Sequence, residues 1–206
     1  MLRRAIADAR ADMHPLVDRL ARLFALLGGL VLCALIVLTC LSIAGRSLNG
    51  ILHGDLAQSL VPGMAKALLD AGIGPINGDF EVVEAGMAFA IFAFLPLCQL
   101  NGAHASVDIF TARLPHRASR WLRAVIETVF ALVLIVIAWQ LGAGMASKLR
   151  SGQTTFLLEF PVWWAYAASL TGAVAAAFVA TYVAVMRVRE AWANRAILPP
   201  ETEADH

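Results

Sequence analysis

Glu81 and Glu84 stand three residues apart at the head of a long apolar run, in Asp79-Phe-Glu-Val-Val-Glu84. At that spacing they share one face of a helix. An acid at the mouth of a membrane span can couple an ion or gate a substrate. It can also sit against the positive end of the helix dipole, or pair with a cation at the water interface. The interfacial reading fits better, because Glu84 lies only about 4.5 Å deeper than Glu81 at the usual helical rise, so both stay within reach of water. Arg46, which closes the preceding apolar run, is the nearest cation in sequence for either carboxylate. A partner subunit is the other source of a cation for Glu84. Asp79 is placed to cap free N–H groups at the start of the same helix.

Beyond the far end of that run, His104 and Asp108 lie four apart and can meet on a helical turn. They read as a satisfied interfacial pair rather than a catalytic one, because no nucleophile or third group accompanies them. The histidines, at 14, 53, 104, 116 and 206, all fall outside the apolar runs. A haem held by two histidines needs them at membrane depth on facing helices. Cys33, Cys40 and Cys98 lie inside apolar runs, with no Cys-x-x-Cys and no histidine at metal spacing, and read as small packing residues. No Gly-rich phosphate loop or catalytic triad appears. The expectation is a protein that is not an enzyme and uses no cofactor or metal.

The elements that position these residues follow from composition. The chain is 60% hydrophobic with mean hydropathy +0.73, too apolar for a soluble domain of 206 residues. Charged residues, 15% of the total, fall between long apolar runs rather than within them. Net charge +1 without a basic stripe and interleaved aromatics gives no support to nucleic-acid binding. The first apolar run begins at Leu23 and is too long for the core of a signal peptide.

The class expected is all-α integral membrane, with spans at about 23–45, 80–100, 124–147 and 161–186. Residues 1–22 read as a cytoplasmic tail, solvated up to Pro15; an amphipathic surface helix is the alternative. Ala21, Ala25, Gly29 and Cys33 recur at every fourth position of the first span, a stripe where another helix can approach. In the outer loop 46–78, Pro62, Gly63, Gly72, Gly74, Pro75 and Gly78 exclude a span. There Ile51–Leu60 and Met64–Ala71 suit short interfacial helices, and an irregular loop with helical turns suits them equally. Pro96 should bend the second span. Val107–Leu114 can form a short surface helix in the inner connector before Pro115 opens the third span. That span bears a second stripe at Ala138, Gly142 and Ala146. Pro161 should open the fourth. There Ala165, Ser169, Ala173, Ala177 and Thr181 form one small-residue row, and Ala168, Gly172, Ala176, Ala180 and Ala184 its neighbour. Such a helix is built to be packed against protein.

Orientation follows from lysine and arginine. Twelve of the 16 lie in the two tails and the 101–123 connector, so both termini should face the cytoplasm. Trp163, Trp164 and Tyr166 then mark the outer interface, and Trp121 and Trp192 the inner one. The middles of the spans carry no charge.

Asp79-Phe-Glu81-Val-Val-Glu84, an apolar run, Gly102-Ala-His104-Ala-Ser-Val107-Asp108 and Leu114-Pro115-x-Arg117 together resemble the small permease subunit (Q, or DctQ-type) of TRAP transporters. These are the tripartite ATP-independent periplasmic transporters. The Gly-x-His-x-x-Val-Asp turn is the most specific element. Gly152-Gln-x-Thr-x-Leu157-x-x-x-Pro161-x-Trp163, followed by Tyr166, resembles the family's approach to its last helix. The likeness covers roughly residues 20–190, and the loop 46–78 is longer than the family's usual link. The resemblance implies an inner-membrane scaffold that braces a large, sodium-coupled permease (M) subunit, and a periplasmic substrate-binding protein that delivers an organic anion. Two rivals would show themselves differently. A respiratory-enzyme anchor needs haem or quinone ligands in its spans, and a free-standing small transporter needs a polar path.

Overall fold

The computed structural model describes residues 2–60, 62–72, 74–102 and 115–193. Among the described residues six helices follow one another: α1 (Leu2–His53), α2 (Asp55–Leu60), α3 (Pro62–Asp70), α4 (Asp79–Asn101), α5 (His116–Ser151) and α6 (Trp163–Ala193). Four are long and apolar enough to cross a membrane, over Pro15–His53, Asp79–Asn101, Arg117–Ser151 and Trp163–Ala193. The all-helical, four-span class expected from the sequence is what is found. Short helices α2 and α3 occupy the loop between the first two spans. The helix expected over Val107–Leu114 lies outside the described residues.

Three spans overrun the apolar stretches that mark them. α1 runs through Arg46 to His53, and it also includes Pro15 and the segment expected as a solvated tail. α5 and α6 likewise extend past the charges that bound their runs. The reason is that Arg, Lys and Glu are good helix formers, so a charge ends an apolar run without ending a helix. Glycine ends two of the long helices instead. Gly102 and Gly152 cap α4 and α5 in the left-handed conformation, φ 60° and 62°, which a side chain disfavours. Pro161 does not open α6; it pairs with Thr154 in an isolated antiparallel bridge, and the helix begins at Trp163.

The four spans stand in the order α1, α4, α6, α5, with near neighbours packed along their lengths. α6 is the middle of the layer: 61% of its apolar window is buried, against 11–22% in the other three. Its small residues make this possible. Gly172 meets α4, where a Cβ would stand 2.9 Å from the Phe92 Cβ and 3.0 Å from the Phe92 carbonyl carbon. Ala176, Ala180 and Ala184 pack on Ala131 and Leu134 of α5. Higher up, a Cβ at Gly144 of α5 would sit 2.8 Å from the Tyr166 ring.

α1 packs through a different face from the one its fourfold stripe suggests. Ala21, Gly28, Leu35 and Ser42 are buried, at intervals of seven, while Cys33 is exposed and nothing lies within 4 Å of a Cβ built on Gly29. A four-residue step advances about 40° around a helix of 3.6 residues per turn, so the stripe winds off the contact. A seven-residue step drifts only about 20° and stays on it. Val17, at the end expected as a tail, is buried against Val179, Val183 and Met186 of α6.

Candidate functional site

The α4 N-terminus and the α5–α6 connection build one site together. Gly78 is the N-cap of α4 and offers no side-chain oxygen, while Asp79 Oδ1 accepts from the Phe80 N–H at 2.8 Å. Glu81 is 5% exposed, far from the solvated rim position expected. Its carboxylate accepts the backbone N–H of Leu157 at 2.7 Å and of Leu158 at 3.0 Å. Those amides belong to the loop that turns α5 into α6. The loop folds back on itself, with the Thr155 N–H donating to the Phe160 carbonyl and the Val162 N–H to the Gln153 carbonyl, each at 3.0 Å. At its tip Glu159 takes a positive φ of 55°. A carboxylate with two oxygens suits two successive amides that the loop's own ladder leaves without acceptors. Leu158 also packs on Gly78, where a Cβ would fall 2.5 Å from the Leu158 Cγ. The tip is therefore docked on α4, and Phe156 is left projecting at 89% exposure.

Glu84, one turn further in, is exposed and faces a groove of about 1010 Å³. α4 and α5 form its walls, α6 its floor, and the 153–160 loop its upper edge. At that edge Lys148 donates to Gln153 Oε1 at 2.6 Å. Arg46 pairs with neither Glu81 nor Glu84. It lies on α1, which packs the opposite side of α4 through Gly28 against Ala93 and Leu35 against Gly86.

The other expected residues divide cleanly. Pro96 is buried within α4; its ring removes the bond to the Phe92 carbonyl, one turn back. Gly172 of α6 approaches α4 at that same Phe92. Trp163 is the first residue of α6 and stacks edge-on with Trp164 at 6.2 Å. His104 and Asp108 lie outside the described residues.

A second polar cluster escaped the sequence reading, at the opposite end of the bundle. Gln99 of α4 is 2% exposed and donates from Nε2 to Glu127 Oε2 of α5; Glu127 is 9% exposed. Nearby on α6, Arg187 and Glu190 form an ion pair at 3.1 Å with side chains 11% and 7% exposed. The signal was present: Glu127 falls in phase with Ala124, Ala131 and Leu134, and Glu190 in phase with Val183 and Met186, all buried. Reading charge only as a boundary hid it.

Among the described residues no group of three His, Cys, Asp or Glu is placed to hold a metal. The arrangement orders a loop and shapes a groove. No curated protein and no solved structure matches the chain. The family described as "Tripartite ATP-independent periplasmic transporters, DctQ component" matches residues 64–190, from α3 to near the end of α6. With more than half the chain matched, from the carboxylates of α4 through the docked loop to the central α6, this protein belongs to the DctQ family, the small permease component of TRAP transporters.

Proposed function

We propose that this chain is the scaffold of its transporter. It braces a large sodium-coupled permease subunit in the bacterial inner membrane while that subunit moves an organic anion handed over by a periplasmic binding protein. The observation that supports this is the single-layer order α1, α4, α6, α5. One layer of helices encloses no lumen, and a hydrated anion crossing it would meet lipid. The outer flanks of the layer are apolar and open, with Leu26 at 72%, Leu30 at 69% and Trp139 at 75% exposure, surfaces a membrane partner can cover. Both termini face the cytoplasm, which puts the docked 152–162 loop and the projecting Phe156 on the periplasmic side, where the binding protein arrives.

Uptake assays in vesicles test the reading. The chain alone moves no organic anion. With the large subunit and the binding protein present, uptake follows an imposed sodium gradient and needs no ATP. Substrate-specific flux by the lone chain would overturn the scaffold role.

A further inference from the structure

The groove between α4 and α5 has a shape and a polarity that the scaffold role does not use. It extends from Phe80 to Phe92 on α4, a rise of about 18 Å along the helix. That is roughly half of the 30 Å hydrocarbon core, the depth of one leaflet. Its inner end is closed where Leu95 packs against the cluster that Ala176, Ala180 and Ala184 of α6 form with Ala131 and Leu134 of α5, and where Gln99 bonds Glu127 across the gap. A membrane-crossing helix cannot lie along it from rim to rim. A lipid of one leaflet can.

The lining changes character with depth. At the rim stand Glu84, Lys148, Gln153 and Glu159; deeper come Ala88, Phe92 and Leu141. This is the order of an amphiphile, head at the rim and tail inward. Among the described residues Glu84 and Glu159 have no ion-pair partner, and the Lys148 ammonium bonds a neutral amide. The rim thus offers one cation and two uncommitted carboxylates. A headgroup carrying both a phosphate and an ammonium matches that set. An anionic headgroup ending in hydroxyls would bring its negative charge to two carboxylates and leave their charge unanswered.

We propose that this groove binds one phospholipid with a primary ammonium headgroup, phosphatidylethanolamine, its phosphate at Lys148, its ammonium at Glu84 and Glu159, and acyl chain over Ala88 and Phe92. The proposal rests on the spans crossing a bilayer and not on the large subunit, so the test uses the lone full-length chain.

Native mass spectrometry of the purified protein, titrated with phosphatidylethanolamine or phosphatidylglycerol of identical acyl chains, reads the site. One phosphatidylethanolamine should be retained, about tenfold more tightly than phosphatidylglycerol, a difference of about 1.4 kcal/mol. Glu84→Gln with Glu159→Gln, both on exposed side chains, should erase that preference. Ala88→Trp should block both lipids, and Val133→Trp on the exposed face of α5 should block neither. Equal retention of the two lipids by the native protein, or a preference that survives in the double glutamine variant, overturns the proposal. So does a cysteine at position 88 that cross-links to the large subunit in the complete transporter, since a protein segment would then fill the groove. Because failed uptake by the assembled transporter would leave these lipid adducts untouched, the two readings fail separately.

Discussion

Glu81 shows how much a single carboxylate can organise when it is withdrawn from water and given two amides. Its bonds to Leu157 and Leu158 span more than seventy residues of sequence and tie the α5–α6 loop to the head of α4. Hydrogen bonds to a charged acceptor contribute about 1.5–3 kcal/mol each, and a buried donor left unmade costs about 1–3 kcal/mol. Glu81→Gln keeps the shape but faces one amide N–H with an NH₂ group. The expected loss is about 1–3 kcal/mol, read as a fall of a few degrees in the thermal midpoint of the purified protein by circular dichroism. Protease nicking near Phe156 should rise in parallel; an unchanged midpoint with an uncleaved loop would mean that the latch is dispensable. Glu84 answers differently. Since Arg46 lies across α4 from it, adding Arg46→Glu to Glu84→Arg should restore nothing in assembly or uptake of the complete transporter. Recovery in the double variant would require a contact that the packing of α1 on α4 does not contain.

At the scale of the helices, close approach is set by single small residues, and the structure separates those that matter from those that only look alike in sequence. Gly172 and Gly29 both belong to small-residue rows. A methyl group on Gly172 collides with Phe92 on the neighbouring helix, whereas one on Gly29 meets nothing within 4 Å. Overpacking of this kind costs about 1–3 kcal/mol, while alanine in place of an uncrowded helical glycine gains up to about 1 kcal/mol in propensity. Gly172→Ala should therefore lower the thermal midpoint, and Gly29→Ala should leave it level or raise it. Gly45 is a harsher case, since its added Cβ would overlap the Gly74 carbonyl of the returning loop. In Gly45→Ala that loop must detach from α1, which should appear as faster labelling of a cysteine placed at Ile76. The Gln99–Glu127 bond works at the other end, holding α4 and α5 together where their backbones stay more than 8 Å apart.

For the whole molecule, the α1, α4, α6, α5 layer makes α6 the keystone and leaves α1 and α5 as flanks. Disturbing α6 should therefore unseat both neighbours, whereas either flank can be covered by a partner without repacking the centre. The orientation of the layer is open to a direct test in intact cells. In a background without Cys33, Cys40 and Cys98, single cysteines at Ala57 and Ser151 should react with a membrane-impermeant thiol reagent, and one at position 104 should not. The reverse pattern would invert the protein and move the docked loop to the cytoplasm.

Much of this was legible in the residues. Span number and approximate position follow from hydropathy, a property summed locally along the chain, and the α4 boundaries came within one residue of Asp79–Asn101 for that reason. The paired acids and the approach to α6 carry the family likeness because they are contiguous motifs. Helix order, the buried face of α1 and the partner of Glu81 were not legible. In water a buried helical face announces itself by being apolar, but in a bilayer the lipid-facing side is equally apolar, so periodicity loses its meaning. What then selects the contact is which small residues stay in phase over several turns, and which polar group finds a partner. Both depend on a second helix at a definite angle and height. Glu81 meets the amides of Leu157 and Leu158 because α4 and α5 lean on the same α6, and that is a property of the packed layer.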